Sequence, residues 1–196
     1  AAKVEQGIDP RLNIISQNLA EASTLHSIAT WILDTQPWDF LAIYLDSIDH
    51  FCHGFMKYHP PRLHNVPEED FEIYKHVVTS GYRFHDMMLE NLMKHAGEDT
   101  AIILVSDHGF HSDHLRTTYI PDEPAGPADH HREHGIVAIN GPGIKQDELI
   151  YGTSLLNVTP TILSLFGLPI GRDMDGIPIL QAFKEEIQIE TVESWD

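Results

Sequence analysis

Cysteine is almost missing from this chain. Cys52 stands alone, so no internal disulfide can form, and the redox compartment is left open. Positive charge is scarce as well: twelve Lys and Arg face thirty Asp and Glu, a net charge of −18 with neutral histidine. A field that negative repels phosphate backbones and anionic lipid, which argues against binding a nucleic-acid polymer. Any phosphate-bearing ligand must therefore be drawn in by a local cation. No apolar run reaches membrane-spanning length and no signal-peptide pattern opens the sequence, so no membrane segment is expected in this chain. The opening "AAKVEQGIDP" reads like the middle of a protein, and the chain is expected to be a fragment.

What is present suits folding. With 42% hydrophobic and 21% charged residues, residues 1–196 have enough apolar material for one domain with a core. Apolar residues at helical spacing (Ile15, Leu19, Ala22, Ile28, Ile32) predict a helix over about 13–34, with Asn13 or Ser16 near its start. "FLAIYL" (40–45), "AIILVS" (101–106) and "GIVAIN" (135–140) are short continuous apolar runs of the kind buried on both faces of a parallel sheet. "KYHPPRLHNVPEED" (57–70) reads as an irregular, insert-like loop. Residues 68–96 predict one long helix stopped by Gly97. In "NVTPTILSLFG", Thr159 is the expected N-cap, Pro160 the first helical residue and Gly167 the terminator. Residues 184–196 form an acidic tail. Strands alternating with helices predict an α/β fold, a mostly parallel sheet layered between helices.

Fourteen histidines are many for this length, and they cluster with aspartates. Asp46, Asp49, His50 and His53 follow the first apolar run. Asp107, His108, His111, Asp113 and His114 follow the second. Asp129, His130, His131 and His134 precede the third. In layered α/β sheets, functional groups collect at strand ends. Carboxylate oxygen with imidazole nitrogen is a donor mix that suits zinc, or manganese or iron. By contrast His59, His64, His76 and His95 read as solvated surface groups, and His26 and His85 as packed or exposed helix residues.

Four segments, "SIDHFCHGFMKYHPP", "DTAIILVSDHGF", "HREHGIVAINGPGIK" and "NVTPTILSLFGLPIGRDMDGIPIL", occur in an order that resembles the alkaline phosphatase superfamily, in particular its type I phosphodiesterase/nucleotide pyrophosphatase branch. The resemblance runs from about residue 37 to 183. It implies an alkaline-phosphatase-like fold of which this chain is the C-terminal part, and a hydrolase that binds a phosphate ester between two divalent ions, usually zinc. In that branch a Thr or Ser at a helix start attacks phosphorus, and water then releases the phosphoryl group.

Carried over by motif, the resemblance puts Asp49, His53 and His131 on one ion, and Asp107 and His108 on the other. Asp46/His50 offers the same spacing as Asp49/His53, and His130 and His134 rival His131. Cys52 stands where the branch usually has glycine. The remaining aspartate and the nucleophile have no counterpart here, since Ser23 and Thr24 fall inside the first helix. The expectation is thus a small phosphate ester as substrate, a complete first metal site, half of a second, and weak or absent activity in the isolated chain. A sulfatase or phosphoglycerate-mutase-like relative, a single-ion hydrolase and a non-catalytic metal-binding module are the alternatives.

Overall fold

Asp9 opens the first helix in the computed structural model, which describes residues 9–195 apart from 121 and 124. Of "AAKVEQGIDP" only the last two residues are described, and the final residue of the acidic tail, 196, also lies outside. Two compact units are present, Ala1–Gly97 with His108–Glu133, and Glu98–Asp107 with His134–Asp196.

The first unit is built on helices. Helix α1 spans Pro10–Thr35, earlier than Asn13 or Ser16 suggested, because Asp9 is the N-cap and Pro10 fits the first turn. The Asp9 carboxylate accepts from the Arg11 backbone N–H at 3.0 Å and from the Arg11 guanidinium at 2.6 Å, and Tyr74 donates its hydroxyl to it at 2.6 Å. The Arg11 hydrogen bond, first among these contacts, holds the Asp9 carboxyl far below the usual carboxylate range. Asp9→Ala removes the cap and leaves the Arg11 and Tyr74 donors short of an acceptor. It is expected to cost about 2 kcal/mol in urea denaturation.

Helix α2, Ser47–Phe55, lies at the middle of this unit, in contact with α1 and with α4 (Val77–Ala96). Its buried face carries Ser47, Phe51, Cys52 and Phe55. Those residues pack with Met56, Tyr58, Val66, Tyr74 and Val78 in one cluster, against which Phe110 also rests. Ser47 donates to His85 Nε2 at 2.8 Å, and His85 Nδ1–H donates to the Gly81 carbonyl at 2.8 Å, tying α2 to α4. The Cys52 thiol is pushed up to about 12 by burial, so it is a packing residue and an inert one. The expected long helix over 68–96 is instead two, α3 Glu68–Tyr74 and α4 Val77–Ala96, with a turn at Lys75–His76. The loop before α3 is pinned by Arg116, which donates to the carbonyls of His59 and Pro61. Strands β2 (Gly109–Phe110) and β3 (His131–Arg132) close this unit as an antiparallel pair, Phe110 opposite His131.

The second unit holds β1, Ile102–Val105, paired with β4, Val137–Asn140. Both strands follow the apolar runs, but neither is buried on both faces, since Leu104, Val105, Ala138 and Asn140 are exposed, and the pairing is antiparallel, contrary to the expected parallel sheet. The reason is local. The chain leaves β1 and returns into β4 at the same end, where Ser106 N–H bonds the Ile136 carbonyl at 2.9 Å. A parallel pair needs a crossover back to the opposite end. Helix α5, Val158–Leu165, is entered through a 3-10 turn, Leu155–Asn157, capped by Ser154 rather than Thr159. Its fully buried Thr161 donates to the Asn157 carbonyl at 2.7 Å and accepts from Ile179 N–H at 2.9 Å. Gly97 after α4 and Gly167 after α5 do terminate their helices, with φ of 81° and 64°. The acidic tail is not loose: β6, Thr191–Val192, adds in parallel to β5, Ile170–Gly171, and Trp195 donates to the Pro169 carbonyl at 3.0 Å.

The architecture is mixed helix with three two-stranded sheets among the described residues, consistent with an α/β class. Among the described residues there is no layered parallel sheet. "FLAIYL" shows why: residues 40–45 belong to none of the sheets, and Tyr44 is 81% exposed. A buried parallel strand needs ladder partners and helices over both faces, and this segment has an exposed side chain where such a strand has a covered one.

Candidate metal centre

Helical phasing sets the first half of the site. With Phe51 and Phe55 turned into the core, Asp49 and His53, one turn apart on α2, share a different face and stay 31% and 16% exposed. The β2–β3 ladder supplies the second half. His131 pairs with Phe110 across the ladder, and His108, just before β2, stacks on the His131 ring at 3.6 Å between centroids and 12° between planes.

Three donor atoms converge. Asp49 Oδ1 lies 3.4 Å from His53 Nε2 and 3.4 Å from His131 Nε2, and those two nitrogens are 3.0 Å apart. Ligand atoms on a tetrahedral ion with bonds of ~2.0–2.1 Å stand roughly 3.3 Å from one another, so the triangle already has the right edges. Asp49, His53 and His131 are the one such metal-competent group found among the described residues. His108 Nε2 sits 3.6 Å from the same Asp49 oxygen.

Asp49 Oδ1 is buried and accepts no hydrogen bond, although a buried carboxylate oxygen left unsatisfied is costly. The atoms facing it are imidazole nitrogens, which are metal donors. His53 is held below the ordinary histidine value by burial, and the imidazoles of His131, His130 and His108 add to that against the pull of Asp49. His53 therefore stays neutral at pH 7, the form that ligates. The residues present fit a divalent metal ion.

Sequence spacing alone left two registers open, and the structure brings only one together. Asp46 is the N-cap residue of α2 and His50 is exposed, whereas Asp49 and His53 join His131. His134 is exposed and belongs to the second unit, as does the exposed Asp107. His130 is buried and touches His53 rather than the triangle's centre: its Nδ1 is 3.3 Å from His53 Nδ1. The three positions also differ from the strand-end picture, since Asp49 and His53 are on a helix and His131 on a strand. One contributor went unread in the sequence. Phe110 sets its ring edge-on to His53 and His131, each at 4.9 Å, and to His108 at 5.5 Å. Its place directly after "SDHG" was the available signal.

Residues 3–152 match the type I phosphodiesterase / nucleotide pyrophosphatase family, well over half of the 196-residue chain. That match places the chain in the alkaline phosphatase superfamily. Within it, this chain belongs to the type I phosphodiesterase / nucleotide pyrophosphatase family. No solved structure matches it.

Proposed function

We propose that this chain contributes the metal-binding part of a zinc-dependent phosphoester hydrolase. The observation that carries this reading is the Asp49–His53–His131 triangle around a buried carboxylate oxygen that accepts no hydrogen bond. The family match supports the reaction class in this reading, hydrolysis of small phosphate esters. In the full reading, Asp49, His53 and His131 hold one ion, Asp107 and His108 contribute to a second, and the Thr or Ser nucleophile comes from sequence outside these 196 residues. Thr24 is unsuited to that role, because it lies within α1 and donates its hydroxyl to the Ala20 carbonyl at 2.7 Å.

Zinc at such a site supplies Lewis-acid polarisation of a phosphoryl oxygen. The protein's own groups do the rest. The two imidazoles and the carboxylate present lone pairs at fixed spacing, and the Phe110 ring edge packs against the imidazoles. Neutral imidazoles add no negative charge, so a loaded site is a positive spot in a chain of net charge −18. That spot draws in an anionic ester against the global field.

One observation favours a second reading. Only one metal-competent group is assembled among the described residues, as a single-ion or purely metal-binding module would have. Zinc content after chelator treatment and reloading separates the two, and bis(4-nitrophenyl) phosphate turnover tests the chemistry. The expected result is saturable zinc binding with little or no turnover by the chain alone. A chain that binds no zinc would overturn the proposal, and brisk zinc-dependent turnover would overturn its assignment of the nucleophile.

A further inference from the structure

His130 does no work in the reading above, yet it is only 8% exposed and both its ring nitrogens are engaged. Its Nε2 is 2.8 Å from the Tyr119 carbonyl oxygen. A carbonyl only accepts, so the proton sits on His130 Nε2 and the neutral ring offers a lone pair at Nδ1. That lone pair faces His53 Nδ1 at 3.3 Å. Two lone pairs would repel across this gap, so His53 Nδ1 carries the proton and donates it. The lone pair of His53 is then left on Nε2, the nitrogen 3.4 Å from Asp49 Oδ1 and 3.0 Å from His131 Nε2.

We propose that His130 is a positioning residue: the relay Tyr119 carbonyl, His130, His53 fixes which nitrogen of His53 is free to bind metal and which way its ring faces. This rests on the metal reading of the Asp49–His53–His131 triangle. Ligating histidines depend on what their second nitrogen bonds to, and here the partner is another imidazole that is itself anchored to the backbone. The anchor is local. The His130 carbonyl accepts from His111 N–H at 3.0 Å, which extends the β2–β3 ladder by one bond. The next residue is His131, so one short segment delivers a ligand and the group that orients another. His108 shows the same logic with a simpler partner: its Nδ1–H donates to the Gly109 carbonyl at 3.2 Å, leaving Nε2 toward Asp49.

The test uses Zn²⁺ alone as the probe, measured by chelator competition, together with nitrogen-15 imidazole spectra of the metal-free chain near neutral pH. His130→Ala and His130→Gln remove the acceptor for His53, Gln retaining a donor for Tyr119 and most of the bulk should Ala not fold. Both are expected to weaken Zn²⁺ binding roughly 10–100-fold and to shift His53 from its Nδ1–H form toward Nε2–H. His130→Asn, whose Oδ1 replaces Nδ1 as acceptor, is expected to restore both readouts. The inference falls if the Gln variant keeps the wild-type affinity and tautomer, or if Asn binds as weakly as Gln. A wild-type chain with no Zn²⁺ affinity overturns the metal reading and this inference together, whereas wild-type binding with unaffected variants overturns this one alone.

Discussion

Asp49→Asn is expected to make the metal-free chain more stable while it nearly abolishes metal binding. The wild-type carboxylate keeps a buried Oδ1 without a hydrogen bond, with His53, His131 and His108 Nε2 at 3.4, 3.4 and 3.6 Å. An amide at that position has N–H groups to offer the lone pairs of His53 and His108, and it carries no charge to desolvate. The gain is about 1 kcal/mol in denaturation with chelator present. Zn²⁺ affinity falls at least ~100-fold, because an anionic ligand is lost where outer partners alone are worth 10–100-fold. Opposite signs in the two measurements mark a residue kept for binding at the expense of stability. A variant that unfolds more readily without metal, or that binds zinc as before, would show Asp49 to be structural.

Gly135→Ala should produce the largest loss of stability of the substitutions considered. A Cβ on Gly135 would lie 1.9 Å from the Ser106 carbonyl oxygen and 2.5 Å from its carbon. Both are backbone atoms with no flexible side chain to swing away. The strand end must therefore separate, and the Ser106–Ile136 hydrogen bond of 2.9 Å goes with it. The expected cost is about 3 kcal/mol or more, read from urea denaturation and from faster amide exchange at Ser106. Melting within error of the wild type would show that the two segments do not approach so closely in solution.

The helices were the most legible part of the sequence. Helices α1 and α5 follow from apolar spacing and stop signals, because a helix satisfies its hydrogen bonds within its own segment, whereas the apolar positions of α4 did not all turn inward: Met88 is buried, but Met87 and Met93 are exposed. Its caps were less legible: Asp9 and Ser154 displaced Asn13 or Ser16 and Thr159, since several polar residues compete at each start. Strand direction was not legible at all. An apolar run such as "AIILVS" marks a strand but fixes neither its cover nor its partner: Leu104 and Val105 are 40% and 41% exposed, and the partner is chosen far along the chain. In the site, the Asp-x-x-x-His spacing gave two candidate pairs. The choice between them lies in which face of α2 the Phe51 and Phe55 side chains bury. For His130 the sequence left a rival ligand, a group behind a ligand or an exposed side chain equally open, because the choice depends on a carbonyl at Tyr119 and a ring 77 positions away.

His53 and His131 are separated by 78 positions in the chain. An ion gripped by both is therefore a cross-link that closes a long loop, and the ordering penalty of such a loop grows only slowly with its length. In a chain whose one cysteine is buried and alone, such a reversible clasp would take the place a covalent bridge holds elsewhere. With the ion bound, thermal resistance would become a function of free metal concentration, rising logarithmically once the ion exceeds its dissociation constant.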